Sequence, residues 1–172
     1  MINYINAIVC VSRNWAIGKD NKLLFNIKED MNFFKNKTKG VTVAMGYNTL
    51  LSLPNSKPLK NRTNIVIAPE GITRDDCIIV HTLDELLTEI DTALYYSDVY
   101  IIGGGMLYRS MLPYYHKVYV TMVNEDVDDA TVFFPNLDEL KDVFAITDLS
   151  DMIKTESGKE IEFITYTRKV AN

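Results

Sequence analysis

The sequence is poor in every feature that would take it out of the ordinary globular class. Cysteine occurs only at Cys10 and Cys77, too few for a disulfide framework, and this points to a reducing, cytoplasmic compartment. There is no basic block and the formal net charge is −5, so no nucleic-acid partner is expected. An anionic ligand must be met by local groups rather than by the overall field. No apolar run approaches the ~20 residues of a membrane span. The opening residues alternate apolar and polar instead of forming a basic-then-apolar leader. Repeats, low-complexity tracts and linkers are also missing. What remains is 172 residues, 47% apolar and 24% charged. We read this as one domain over residues 1–172, long enough for a real core, and expect a monomer with no membrane attachment.

The most informative stretch present is Asp-Val-Tyr-Ile-Ile-Gly-Gly-Gly-Met-Leu-Tyr, residues 98–108. Residues 99–102 suit a strand buried on both faces of a parallel sheet. Gly103, Gly104 and Gly105 allow a sharp turn and a close approach by another molecule. A helical pattern then begins, with Leu107, Met111 and Leu112 on one face. A strand, a glycine turn and a helix start leave backbone N–H groups free at the positive end of a helix dipole, which binds phosphate. A tight structural turn reads equally well, because the full dinucleotide fingerprint is not there.

Along the chain, residues 5–11 form a near-continuous apolar strand candidate. Residues 12–25 form a long irregular segment, in which Trp15, Ile17, Leu23, Leu24 and Phe25 stand among the turn residues Asn14, Gly18, Asp20 and Asn21. Such a segment is either a lid and pocket wall or a plug on the core edge. Residues 28–37 read as a helix with Ile27, Met31 and Phe34 on one face. Asp30 on the rim of that face is either a functional acid raised by desolvation or a solvated acid favouring the helix dipole. Residues 41–45, Gly46 and residues 47–53 repeat the strand–glycine–helix pattern and offer a second anion site.

A polar loop over residues 54–61 leads to Arg62. Strands follow at 64–67 and 78–80, then a structural helix opened by a Thr82–Glu85 capping box, with Leu83, Leu86, Leu87, Ile90 and Leu94 on its apolar face. Thr121 sets a hydroxyl in the apolar strand 118–123. Asp126, Asp128 and Asp129 lack the calcium-loop pattern and read as a solvated loop, so no metal is expected. Strands at 144–149 and 161–169, joined through Ser157-Gly158, should pair antiparallel. These elements imply an α/β fold with a mainly parallel sheet and a C-terminal antiparallel hairpin. Ligands of such sheets sit beyond the carboxyl ends of the strands. That rule gathers Ile17, Asp30, Gly46 and the three glycines at one edge, so the residues alone imply a phosphate-bearing ligand, an apolar pocket and one acid.

The ordered set Ile8-Val9-Cys10-Val11-Ser12, Ile17-Gly18-Lys19, Leu23-Leu24-Phe25, Asp30 with Phe33-Phe34, Met45-Gly46 with Thr49, Leu59 with Arg62, Ile101-Ile102-Gly103-Gly104-Gly105 with Tyr108, Tyr119 with Thr121, and Thr131 with Phe133-Phe134-Pro135 resembles dihydrofolate reductase over nearly the whole chain. The resemblance implies an eight-stranded sheet with four flanking helices. It also implies hydride transfer from NADPH to C6 of dihydrofolate with protonation of N5. Asp30 would bind the pterin N3 and 2-amino group, and Thr121 would bond Asp30 and, through water, the pterin. The carbonyls of Ile8 and Ile102 would face the pterin 4-position, and Tyr108 would lie at the same pocket. Phe34 and Leu53 would sandwich the ring system, and Arg62 would clamp the glutamate α-carboxylate. Cys10 and Ile17 would offer backbone groups to the nicotinamide carboxamide, with Gly18 beside them. Gly103, Gly104, Gly105, Met106 and Leu107 would take the diphosphate, helped by Gly46 and Thr49. Tyr47, Asn48 and Ala68 would line the cofactor's far end. A cis peptide would lie between the first two of the glycines, and residues 13–25 would form a lid.

The sequence departs from the family at three places. Phe25 stands for a tryptophan in the catalytic pocket and lacks its indole donor, so slower proton delivery is expected. Tyr47 stands where a basic residue commonly meets the cofactor's 2′-phosphate. Ala68-Pro69-Glu70 replaces a hydroxyl-rich turn, with His81 and Thr82 as partial compensation. We therefore expect a weakened preference for NADPH, with NADH accepted. Two other functions share these features: a pyrimidine reductase of flavin synthesis, against which Asp30 with Arg62 argues, and a folate-binding structural protein with impaired turnover.

Overall fold

The apolar run at the start of the chain forms strand β1 (Ile5–Ser12) in the computed structural model, which describes residues 1–170. The last two residues of the expected domain, Ala171 and Asn172, lie outside the described residues. β1 is covered on both sides, with Ala7, Val9 and Val11 in one core layer and Ile8 in the other. That explains why its sequence is apolar without alternation. It pairs in parallel with β7 (Val99–Ile101) on one side and β8 (Lys117–Val123) on the other. Beyond β7 come β4 (Thr42–Gly46), β5 (Thr63–Ile67) and β6 (Ile78–Val80), all parallel. Beyond β8 come β12 (Glu160–Arg168) and β10 (Phe144–Leu149), both antiparallel to their neighbours. The path of eight strands matches the expected sheet.

Four helices flank it. α1 (Lys28–Thr38) and α2 (Tyr47–Ser52) cover the Ile8 face, through Phe33, Phe34 and Leu50. α3 (Leu83–Ala93) and α4 (Gly105–Ser110) cover the other, through Leu86, Ile90 and Leu107. The neighbouring strands β4 and β7 thus send their connections to opposite faces. Between such strands an open α/β sheet has its natural crevice, outside their carboxyl ends. Among the described residues no helix is long and apolar enough to cross a membrane.

Several expectations need correcting. Residues 12–25 are not irregular. They carry β2 (Ala16–Lys19) and β3 (Lys22–Leu23), which form a small antiparallel sheet with β9 (Val132–Phe133). Asp20 and Asn21 both have positive φ, 50° and 62°, as a two-residue hairpin turn requires. Trp15 and Ile17 are core residues, at 4% and 6% exposure, and the Trp15 ring packs against Phe134 and Tyr166. Only Leu23 is freely exposed at the tip. Met31, expected on the buried face of α1, is exposed. The inward face is instead carried by Ile27, Phe34 and the buried Thr38, while Phe33 stacks on Phe163. The Ser157-Gly158 turn does not join β10 to β12. It closes a short extra strand, β11 (Ile153–Lys154), onto the start of β12. In the capping box, Thr82 Oγ1 accepts from the Glu85 N–H at 3.1 Å, but the Glu85 carboxylate takes the N–H of His81, one residue before the cap.

Candidate active site

The acid wall of the crevice begins with a helix that lacks a capping side chain. Ile27 is the N-cap of α1 and makes no side-chain cap bond, a loss of about 1 kcal/mol. Burial of Ile27 against Val123 and Ile161 returns about 2 kcal/mol. Packing therefore sets where Asp30, in the first turn, points. Opposite it, Cys10 on β1 and Thr121 on β8 are partners in the parallel register, so their side chains leave the sheet on the same side. Both side chains face the Asp30 carboxylate from within bonding reach and favour its charged form. Phe25 and Phe163 pack around them in one small apolar cluster.

Burial pushes the Asp30 carboxyl above the usual carboxylate range, while the bonds from Thr121 and Cys10 oppose that rise. Desolvation wins because a hydroxyl and a thiol are neutral donors, weaker than a cation. None of the ion pairs among the described residues includes Asp30. The result is an acid poised to share its proton with a ligand. Burial, followed by the nearby Asp30 charge, pushes the Cys10 thiol far up, so it stays protonated and remains a donor.

Along the crevice towards α2, the apolar side chains Phe34, Leu53, Leu59 and Ile102 pack with Ile8. The Ile8 carbonyl already accepts the Tyr108 hydroxyl at 2.8 Å, and Tyr108 is itself buried. Tyr108 therefore reaches the pocket through that carbonyl. Arg62 is pinned on one edge: Nη1 donates to Thr38 Oγ1 at 2.9 Å and Nε to the Lys60 carbonyl at 3.0 Å. Its Nη2 makes no bond among the described residues and is free for a carboxylate.

The second wall is built from backbone. Gly46 and Gly104 are the N-caps of α2 and α4, and neither helix has a side-chain cap. The Gly46 N–H donates to the Gly103 carbonyl at 2.8 Å, which locks the two helix starts side by side. The Gly103–Gly104 peptide is cis, as the resemblance implied. Thr49 Oγ1 lies 3.5 Å from where a Cβ on either Gly103 or Gly104 would stand. At Gly105 a Cβ would meet Val132 Cγ1 at 2.4 Å, so β9 closes over the turn. Unfilled helix starts, glycines packed to contact and an adjacent hydroxyl fit a diphosphate. Of the other residues expected here, Met106 is exposed, and Leu107 is buried in the core and can offer only its backbone. Ile17 is the irregular position of the β2–β9 ladder, which leaves its backbone without a partner position, and Gly18 receives the Thr131 N–H at 3.0 Å.

The far end differs from expectation. Tyr47 is half-buried on the same core cluster as Cys77 and Ile79, and Asn48 is exposed. Arg74, which the sequence did not single out, stands near enough to Tyr47 for charge interaction. However, Arg74 is already paired with Asp76 at 2.7 Å and bonded to the Ser56 carbonyl. His81 turns Nδ1 onto the carbonyls of Ala68 and Pro69, both at 3.1 Å. The sequence also gave no signal for the Cys10 thiol beside Asp30 or for Val132 over Gly105. Both depend on strand register between distant segments.

Comparisons with known proteins point to one family. The family model described as dihydrofolate reductase matches residues 4–168. The dihydrofolate reductase of Schistosoma mansoni is 35% identical over 178 residues, covering 94% of this chain and 95% of its own. That of Bacillus subtilis is 30% identical over 168 residues, covering 96% and 95%. Among solved structures, the dihydrofolate reductase from Enterococcus faecalis complexed with NADP(H) and RAB-propyl superposes with a TM-score of 0.84 at 26% identity. That match covers 99% of this chain and 100% of the other.

Proposed function

The chain belongs to the dihydrofolate reductase family, and on that footing we propose how its crevice performs the NADPH-dependent reduction of 7,8-dihydrofolate to tetrahydrofolate. NADPH supplies the hydride, which goes to C6 of the pterin while a proton goes to N5. Asp30 accepts from N3–H and the 2-amino group of the pterin, and two charge-assisted bonds from one buried carboxylate fix the plane of the ring. The Ile8 and Ile102 carbonyls face the other edge of the ring, Phe34 and Leu53 hold its faces, and Arg62 takes the glutamate carboxylate on its free Nη2. Gly46, Thr49, Gly103, Gly104, Gly105 and the backbone of Met106 and Leu107 hold the diphosphate. Cys10, Ile17 and Gly18 meet the carboxamide through backbone groups, and Tyr47, Asn48 and Ala68 line the far end. Water is kept from the reacting carbons by the small sheet of β2, β3 and β9. Phe25 carries no ring N–H, so a water beside it lacks the donor an indole would give, and proton delivery is slowed.

The observation that carries this reading is a largely desolvated carboxylate, flanked by Thr121 and Cys10, that no ion pair among the described residues neutralises. The decisive experiment follows NADPH absorbance with dihydrofolate, with and without an antifolate. Turnover that the antifolate abolishes supports the reading. Tight folate binding without turnover would instead favour the structural folate-binding protein.

For the cofactor's 2′-phosphate, Tyr47 and Glu70 offer no cation, and Arg74 is already neutralised by Asp76. The preference for NADPH over NADH is accordingly small. A measured kcat/KM ratio on the order of a thousand, about 4 kcal/mol, would overturn that part.

A further inference from the structure

From the crevice floor we infer that Cys10 is a positioning residue for the reaction: its S–H donates to the Asp30 carboxylate and, together with the Thr121 hydroxyl, aims that carboxylate at the substrate ring. This rests on the reading of Asp30 as the substrate-facing acid. Three observations carry it. Cys10 and Thr121 are in-register neighbours on parallel strands, about 4.8 Å apart, so their two donors straddle one carboxylate. Cys10 packs with Phe25, Ile27 and Phe163 beneath α1, and these apolar neighbours offer the sulfur no competing acceptor. Burial holds the thiol protonated, so the donor is present at neutral pH.

The remaining groups around Asp30 do not supply this function. From α4, Tyr108 is neutral and donates to the Ile8 carbonyl instead. Beyond Phe25, Lys159 is paired with Glu125 at 2.7 Å. On α1 itself, Lys28 pairs with Glu156, and Glu29 accepts the Glu156 N–H. A thiol is a weak donor, but beside a largely desolvated carboxylate a weak donor still outweighs none. A two-point hold on one carboxylate also fixes its plane, which a single hydroxyl cannot do.

The test reads Asp30 directly. The 13C carboxyl resonance of Asp30, assigned with Asp30→Asn, is titrated in the parent, in Cys10→Val and in Cys10→Ser. Valine fills the cavity without a donor, so the Asp30 titration should move up by a few tenths of a unit. Serine keeps a donor, so no upward movement is expected. The pH profile of single-turnover hydride transfer should move the same way as the titration in each variant. A Cys10→Val titration that stays in place or falls overturns the inference, as does a Cys10→Ser titration that rises with valine's. Parent turnover is recorded first. Its absence counts against the reductase reading, while the titration alone decides the role of Cys10.

Discussion

One wall of the crevice presents the side chains of Asp30, Thr121 and Cys10, whereas the other presents the main chain of Gly46, Gly103, Gly104 and Gly105. The acid wall depends on chemical identity: its shape tolerates an isostere, but its chemistry does not. The glycine wall depends on shape: almost any polar peptide would serve, but an added methyl group would not fit. The two walls should therefore fail differently, and a mutation at one should leave the other's ligand nearly untouched.

The sharpest break is Asp30→Asn. An amide keeps the volume but cannot accept two bonds as an anion, so hydride transfer should fall by about 10²–10⁴-fold. The Kd for NADPH should stay within about twofold, as stopped-flow and fluorescence titration would measure. Unchanged turnover removes Asp30 from the reaction. At the opposite wall Gly105→Ala should weaken NADPH binding by about tenfold. The new Cβ would stand 2.4 Å from Val132 Cγ1, while alanine itself suits a helix start. Combining it with Val132→Ala should restore part of the affinity, and a double-mutant cycle with no coupling would show that the clash is not the cause.

Arg62→Lys is expected to be milder. Lysine cannot hold the bonds to Thr38 and the Lys60 carbonyl while reaching a carboxylate, so KM for dihydrofolate should rise by about tenfold with kcat little changed. The smallest effect is on stability. Burial raises Asp30 above its unfolded value, so the folded chain retains a proton that the unfolded chain has released. Stability then falls as pH climbs from the ordinary carboxylate value through the folded one. Because asparagine does not titrate, Asp30→Asn should melt higher than the parent at pH 8, with the gap narrowing at pH 4. A gap independent of pH would mean that Asp30 is not desolvated.

The short hairpin of β2 and β3 shows where reading the sequence stopped. Asp20 and Asn21 announced a turn, and their positive φ values bear that out. Yet two and four residues are too few to show strand periodicity, and their partner β9 lies more than a hundred residues away. Met31 failed for a related reason. Helical spacing placed it with Ile27 and Phe34, but the side chain is exposed and Thr38 is buried instead. Asp30 and Arg62 could be named from order and spacing. The ordered motifs also named Thr121 as a partner of Asp30, but Cys10 beside it and Thr38 beside Arg62 could not be assigned without contacts between elements.

The sequence by itself determined the strands along the path of the main sheet, the four helices and the two glycine turns, because apolar periodicity and missing side chains act locally on the backbone. It also determined, through the ordered motifs, the family. Only the tertiary structure decided that β4 and β7 send their helices to opposite faces and so open a crevice between the turns. It alone set Cys10 level with Thr121 and laid Val132 over Gly105. Those facts are matters of register and packing between segments far apart in the chain, and no local preference encodes them.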